Sequence, residues 1–585
     1  MQLDRKTLRL LLCLLVLAVG VRVAYLLSRS AVMDNEGAHY GMMAQHLLDG
    51  RAFPRPPTAT QPQLVMAWFH PLMIAGVTMI TRDTELAARL VSLLSGASLV
   101  VVLFFLGLRL YGRATAWIVA TLAAFFPILV AFSTAGYSES LYLALLMGAV
   151  YFSIRCFDSD RGRAWLWAGM LFGCAYLTRP EALPLPFLAV LFILAGAAIE
   201  KLGIRPALRA SAGMLAVFAL FVAPYAALFK VYTGHFLLEG KNRLNYTIGQ
   251  RILAGMPPGE AARGIDSNLT PVGPQLAQLA YLTHTPYPTR PPDLARYFLR
   301  SAAHNKGWLY SGLIPALAYG SILLWFLAGI GLFRRRWDRR RLLREVFLLS
   351  IVAYIIVILF SAQMPLLRYS LPLFPFGLLW ASFGIAELGS WARGTTRSFP
   401  RKPALLVRAA PPAFVVLPMT LLLGFSAVGL CTLGELNETL PGNRVLKQAG
   451  LWLRDHCGEK HPVIMADEAV VPYYAQGDWL PLPYADSSLA LRYIASKRPD
   501  FVVATYLSQG EAPYADEWLS TGIPDPRAQL RFEASDASGN RVRVYEWTNM
   551  AAESPDVAVR RTPTPRPQKT SLPSLKAARQ IRKEN

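Results

Sequence analysis

The sequence predicts a polytopic α-helical membrane protein of about eleven transmembrane helices with a small extracytoplasmic α/β domain towards the C-terminus. Three observations predict it. Hydrophobic residues make up 54% of the 585 and charged ones only 16%, so polar surface is too scarce for several water-soluble domains. Eleven apolar runs have the length to span ~30 Å of hydrocarbon at about 1.5 Å per residue. The net charge of +22, from 59 basic and 37 acidic residues, gathers in clusters between those runs, as it does where cytoplasmic loops retain Lys and Arg. Disorder and collagen are excluded by composition, and a disulfide scaffold by the presence of only five cysteines.

The first run, 8–27, follows Arg5, Lys6 and Arg9 and has no small-x-small cleavage site before Arg22, so it reads as an uncleaved anchor with its N-terminus inside. Arg22 itself reads as a snorkelling side chain at the outer end of that span. Further spans fall at 86–108, 115–133, 140–156, 164–179, 182–200, 210–229, 308–332, 345–361, 371–390 and 409–432. The stretch 64–80 is also apolar but holds His70 and Pro71, and charge decides its status. If it does not span, the inside loops receive Arg109 and Arg113, then Arg155, Arg161 and Arg163, then Lys201, Arg205 and Arg209, then the seven arginines of 334–344, then Arg393, Arg397, Arg401, Lys402 and Arg408. It is therefore expected to lie at the outer surface, which leaves the C-terminus outside.

This arrangement divides the chain into a membrane domain (1–432), with outer loops at 28–81 and 230–307, an extracytoplasmic α/β domain (433–550), and a basic, proline-broken tail (551–585) expected to be disordered. Within the second, 445–453 and 486–496 read as helices and 463–465, 501–504 and 542–545 as short strands. The tail suits anionic lipid headgroups better than nucleic acid on this side of a membrane. Cys431 and Cys457 both fall outside, as do the sequons at Asn245, Asn268 and Asn437.

Once sides are assigned, ionisable residues from four segments fall at one depth on the outer face. Asp34 and Glu36 follow the first span, Glu139 lies in the connection STAGYSES, Arg179 and Glu181 flank Pro180 in LTRPEAL, and Arg368 and Tyr369 precede the tenth span in MPLLRYSLPLFP. Taken singly, Glu139 and Glu181 read as first-turn acids that suit a helix dipole. Together, charged groups bordering a bilayer point to a shared polar pocket, since each is costly there unless paired or facing a cavity. Arginine forks bind phosphate bidentately, and a nearby carboxylate can take a proton from an attacking hydroxyl. That combination describes group transfer from a lipid phosphate, whose departure as a stable anion needs one base and positive charge. The spacing of His39, His46 and His70 specifies no metal site.

The segments DNEGAHYGMMAQHLLDGR, ELAARLVSLLSGASLVVVLFFLGLRLYG, FPILVAFSTAGYSESLYLALL, CAYLTRPEALPLP and RYSLPLFPFGLLWASFGIAEL occur here in a specific order. They resemble the polyprenyl-phosphate-sugar glycosyltransferases of the C superfamily (GT-C), in particular the bacterial family 39 proteins related to protein mannosyltransferases and to the aminoarabinose transferase of lipid A. The resemblance implies a multi-pass inner-membrane enzyme that moves a sugar from a polyprenyl-phosphate donor to a hydroxyl of a protein, lipid or glycan acceptor on the outer side, with inversion. It implies a catalytic base in the first outer loop, where Asn35 separates the usually adjacent acids; the GAHY that follows, with His39 and Tyr40, favours Glu36, with Asp34 second. Glu139 falls on the second outer-loop acid of the pattern, and Arg179 and Arg368 fall where the lipid phosphate is met. Members differ in divalent-metal use. The C-terminal domain is expected to bear on acceptor choice. A lipid-linked-sugar flippase or transporter is the alternative, opposed by ionisable groups that gather at one face and not at mid-membrane.

Overall fold

The computed structural model of the chain describes residues 4–28, 32–52, 64–157, 162–199, 203–284, 291–304, 320–361, 367–397, 404–433, 443–458, 461–508 and 512–548. Eight described helices are long and apolar enough to cross a membrane: Arg5–Leu27 (α1), then, beyond Asn35–Leu48 (α2) and Phe69–Thr81 (α3), Thr84–Leu110 (α4), Glu139–Phe157, Pro180–Ile199, Ile204–Thr233, Arg339–Leu359, Leu373–Gly394 and Pro412–Cys431. The other three expected spans correspond to shorter apolar helices, Arg113–Phe125, Ala164–Tyr176 and Ser321–Phe333. Positions 308–319 of the expected eighth span, Asn437 and the basic tail lie outside the described residues.

The expected span 115–133 is broken at Pro127 into Arg113–Phe125 and Pro127–Phe132, because proline has no amide hydrogen to donate to the carbonyl four residues back. Arg22 supplies the missing donors. Its Nη2 reaches Ala123 O at 3.2 Å, and its Nη1 reaches Ala124 O and Ala18 O at 3.0 Å each. Its side chain is fully buried, which corrects the snorkelling expectation: an arginine among carbonyls freed by a helix break is worth more inside than at the interface. Gly96 of α4 leaves the room, since a Cβ there would lie 3.1 Å from Arg22 Nε and 2.4 Å from Ser133 Cβ.

Between membrane helices the gain comes from close packing, because lipid tails are as apolar as leucine. Ser321–Phe333 and the helix beginning at Leu373 meet through Gly331 and Gly384, where an added Cβ would stand 2.0 Å from Trp380 O and 2.2 Å from Leu327 O. Phe104, Phe126, Phe157, Phe172, Phe347 and Phe374 fill the bundle interior.

The C-terminal residues form a five-stranded sheet in the order β2-β1-β3-β5-β4. Val463–Ala466 (β1) runs parallel to Asp478–Pro481 (β2) and Phe501–Thr505 (β3), while Ala528–Ser535 (β4) and Arg541–Trp547 (β5) pair antiparallel, with β5 against β3. The expected helices appear as Asn443–His456 and Ser487–Lys497. Successive strand residues face opposite sides. Met465 and Val502 join Tyr493, Tyr514 and Trp518 on one face. Ile464, Val503, Val542 and Val544 join Met42, Ile74, Ala87 and Val91 of α2, α3 and α4 on the other. The sheet therefore shares its core with the first helices of the bundle, and Met1–Thr548 is one compact unit. Cys431 and Cys457 are both free thiols.

Candidate active site

The site lies where α2, the turn 133–138, the turn at Pro180–Ala182 and the turn Leu367–Ser370 converge. Asp34 is the N-cap of α2, its Oδ1 accepting the Gly37 amide at 2.8 Å, so the helix start itself orients the carboxylate. Its Oδ2 accepts the Tyr137 hydroxyl. Gly136, at φ +70°, makes the turn that delivers Tyr137 and gives its carbonyl to His70 Nε2 at 3.1 Å. Burial pushes the Asp34 carboxyl up to about 6 against the opposing pull of Tyr137 and Arg368.

Glu36, two residues on, forms an ion pair with Arg368 and accepts the Tyr40 hydroxyl at 3.2 Å. Tyr40 also lies 3.1 Å from Ser138 Oγ. Burial would raise the Glu36 carboxyl, but Arg368, Lys241 and Arg179 outweigh it and hold it down at about 2. The two acids of one helical turn thus acquire opposite tendencies, Asp34 towards taking a proton and Glu36 towards a permanent charge.

Glu139 opens the helix Glu139–Phe157 and is almost fully buried. Its Oε1 lies 2.6 Å from Arg179 Nη1 and 3.7 Å from Arg368 Nε, so one oxygen faces both guanidinium groups. Arg179 reaches Glu181 at 3.5 Å with its other nitrogen. Tyr369 stands between the arginines, its ring 5.7 Å from the Arg179 carbon and 5.8 Å from that of Arg368, while Tyr142 and Tyr137 flank their other sides. Eight of the nine residues expected from sequence therefore form one network: Asp34, Glu36, Tyr40, Glu139, Arg179, Glu181, Arg368 and Tyr369. His39 does not bond to it. Its ring packs edge-on against Trp479 of β2 at 4.8 Å, and burial pushes its imidazole down to about 4.

Two participants escaped the sequence reading. Tyr137 sits in the short connection STAGYSES, two residues before Glu139, where a lone tyrosine brings no charge to mark it. Lys241, the first residue of the helix Lys241–Leu253 in the second long loop, acts electrostatically on both Glu36 and Glu181. It lies about 200 positions from the first acid in a polar loop, and nothing in its local sequence signals that role. Among the described residues no group of three or more His, Cys, Asp and Glu converges as metal ligands. The site carboxylates are engaged by tyrosines and arginines.

The fold, a many-helix bundle with an α/β domain packed on its first helices, is shared with solved structures at low sequence identity. Residues 64–226 match the family described as dolichyl-phosphate-mannose-protein mannosyltransferase. Among solved structures, ArnT from Cupriavidus metallidurans bound to undecaprenyl phosphate is similar with a TM-score of 0.54 and 12% identity, over 92% of this chain and 98% of that one. The oligosaccharyltransferase of Archaeoglobus fulgidus in its apo form is similar with a TM-score of 0.59 and 13% identity, over 93% and 75%. The same archaeal enzyme, AglB, in complex with an inhibitory peptide and a dolichol-phosphate gives 0.57 and 13%, over 93% and 75%. No curated protein matches the chain by sequence.

Proposed function

We propose that this protein is a membrane glycosyltransferase that moves a sugar from a polyprenyl-phosphate donor to a hydroxyl acceptor. One observation carries the reading: a buried carboxylate whose affinity for protons is raised, Asp34, stands beside cations already held in place by acids. The comparisons support it, because ArnT is seen with undecaprenyl phosphate and AglB with a dolichol-phosphate.

In this reading Asp34 is the general base, and Glu36 serves with Glu139 to hold Arg368 and Arg179. The sequence favoured Glu36 from its relation to Tyr40; its ion pair with Arg368 argues for the exchange, since a carboxylate held near 2 is a poor acceptor of a hydroxyl proton at neutral pH. The acceptor oxygen gives its proton to Asp34 and forms the new bond to the anomeric carbon as the bond from that carbon to the phosphate oxygen breaks. The leaving phosphate gains a negative charge, and Arg368, Arg179 and Lys241 stabilise it as it develops. A single displacement with one base inverts the anomeric carbon. The basic loops between spans support a cytoplasmic N-terminus and a reaction on the opposite face of the membrane.

The test uses purified protein with a radiolabelled polyprenyl-phosphate sugar. Lipid phosphate should be released in step with acceptor glycosylation, and Asp34→Asn should stop release while donor still binds. Movement of the intact donor across a bilayer without release would instead identify a flippase.

A further inference from the structure

Asn35, which separates the two acids, points away from both. Its Oδ1 accepts the amide of Ala469, at the entrance to the short helix Val470–Ala475 of the C-terminal domain, at 2.9 Å. Consecutive helical residues are turned by about 100° from one another, so Asp34 and Glu36 can face the arginines while Asn35 faces the domain laid over them. The same turn has a second tether. The Met33 amide donates to the Tyr474 hydroxyl at 3.1 Å, that hydroxyl donates to Glu85 Oε2 at 3.0 Å, and Lys447 Nζ holds the same oxygen at 2.9 Å. Further along α2, a Cβ on Gly41 would stand 2.5 Å from the Tyr473 ring, so only glycine permits this approach. At its far end, His46 and Arg51 meet Asp478 at 3.1 and 3.0 Å. The helix that bears the acids is thus gripped by the C-terminal domain at its start, middle and end.

We propose that Asn35 is a positioning residue, through which the C-terminal α/β domain fixes the turn that carries Asp34 and Glu36. This rests on the reading of those acids as the working pair of a transferase. The physical requirement is general: a base displaced by about 1 Å from its reacting proton loses much of its rate advantage, and a helix start held only by its own cap moves that far easily.

The full-length Asn35→Ala protein tests this. It should melt near the wild-type temperature, yet exchange the amides of residues 33–38 faster and turn over about tenfold to a hundredfold more slowly with little change in donor KM. The acid limb of its pH–rate profile should move below the wild-type position, because a loosened turn admits water to Asp34; Tyr137 and Arg368, on other elements, still face it, and Glu36, whose charge raises it, moves with the turn. Tyr474→Phe removes the other tether and should act in the same direction. Wild-type turnover and wild-type exchange in both variants overturn the proposal, as does lost turnover with unchanged exchange. If Asp34→Asn keeps its turnover, the assignment of the base fails instead, and the exchange measurement still decides whether the domain holds the turn.

Discussion

Glu139 Oε1 sits 2.6 Å from one guanidinium nitrogen of Arg179 and 3.7 Å from Arg368 Nε, so a single buried oxygen holds both site arginines in register. The arginines come from connections about 190 residues apart, and the carboxylate shared between them, with Glu36, Glu181 and the Tyr369 ring around it, offsets the repulsion of two positive groups so close.

Removal of one member of this pair should cost more than removal of both. Arg179→Met leaves Glu139 charged, buried and without its closest partner, a loss of about 3–5 kcal/mol in stability, whereas Arg179→Met with Glu139→Gln should recover much of it. Both proteins should be inactive. Chemical denaturation in detergent, read alongside transfer assays, separates the two effects.

The acid limb of activity follows from Asp34. A base must be deprotonated to work, so kcat/KM should be half its maximum near about 6 and fall towards tenfold per pH unit below it. If Glu36 were the base, the fall would begin near 2, and activity would persist through mildly acidic solution. A profile between about pH 4 and about pH 8 distinguishes them.

Lys241→Met should lower kcat/KM for the donor by about tenfold or more, the scale of one lost charge-assisted contact to phosphate. Its half-exposed position at the start of a loop helix means stability should change little. Unchanged donor kinetics would remove it from the phosphate site.

Arg22→Leu should destabilise the bundle by about 1–3 kcal/mol, because the Ala123 and Ala124 carbonyls at the Pro127 break lose their donors inside the bundle. Donor KM in the folded fraction should not move. A melting curve in detergent together with KM checks both halves.

Much of the site was legible because its residues stand at the ends of apolar runs. Hydrophobic length places a charge at a membrane edge, and the energetic penalty of leaving it there unpaired makes convergence a fair inference for Asp34, Glu36, Glu139, Arg179 and Arg368. Tyr137 and Lys241 carried no such penalty in sequence, one being uncharged in a short connection and the other lying in a polar loop. His39 misled because it shares a helix with the acids, and only the rotation of that helix assigns its ring to Trp479.

The sequence by itself determined that this is a many-helix membrane protein with an α/β C-terminal part, because span length, charge clustering and strand alternation are local properties that the solvent reads directly. Tertiary structure alone decided which buried acid gains affinity for a proton and which is held charged by an arginine, what Arg22 is for, and that the C-terminal sheet completes its core on α2, α3 and α4. The reason is physical: a carboxylate's proton affinity, like the value of a buried arginine, depends on water removed and on charges brought near by distant segments. Neither exists until the chain has closed around them.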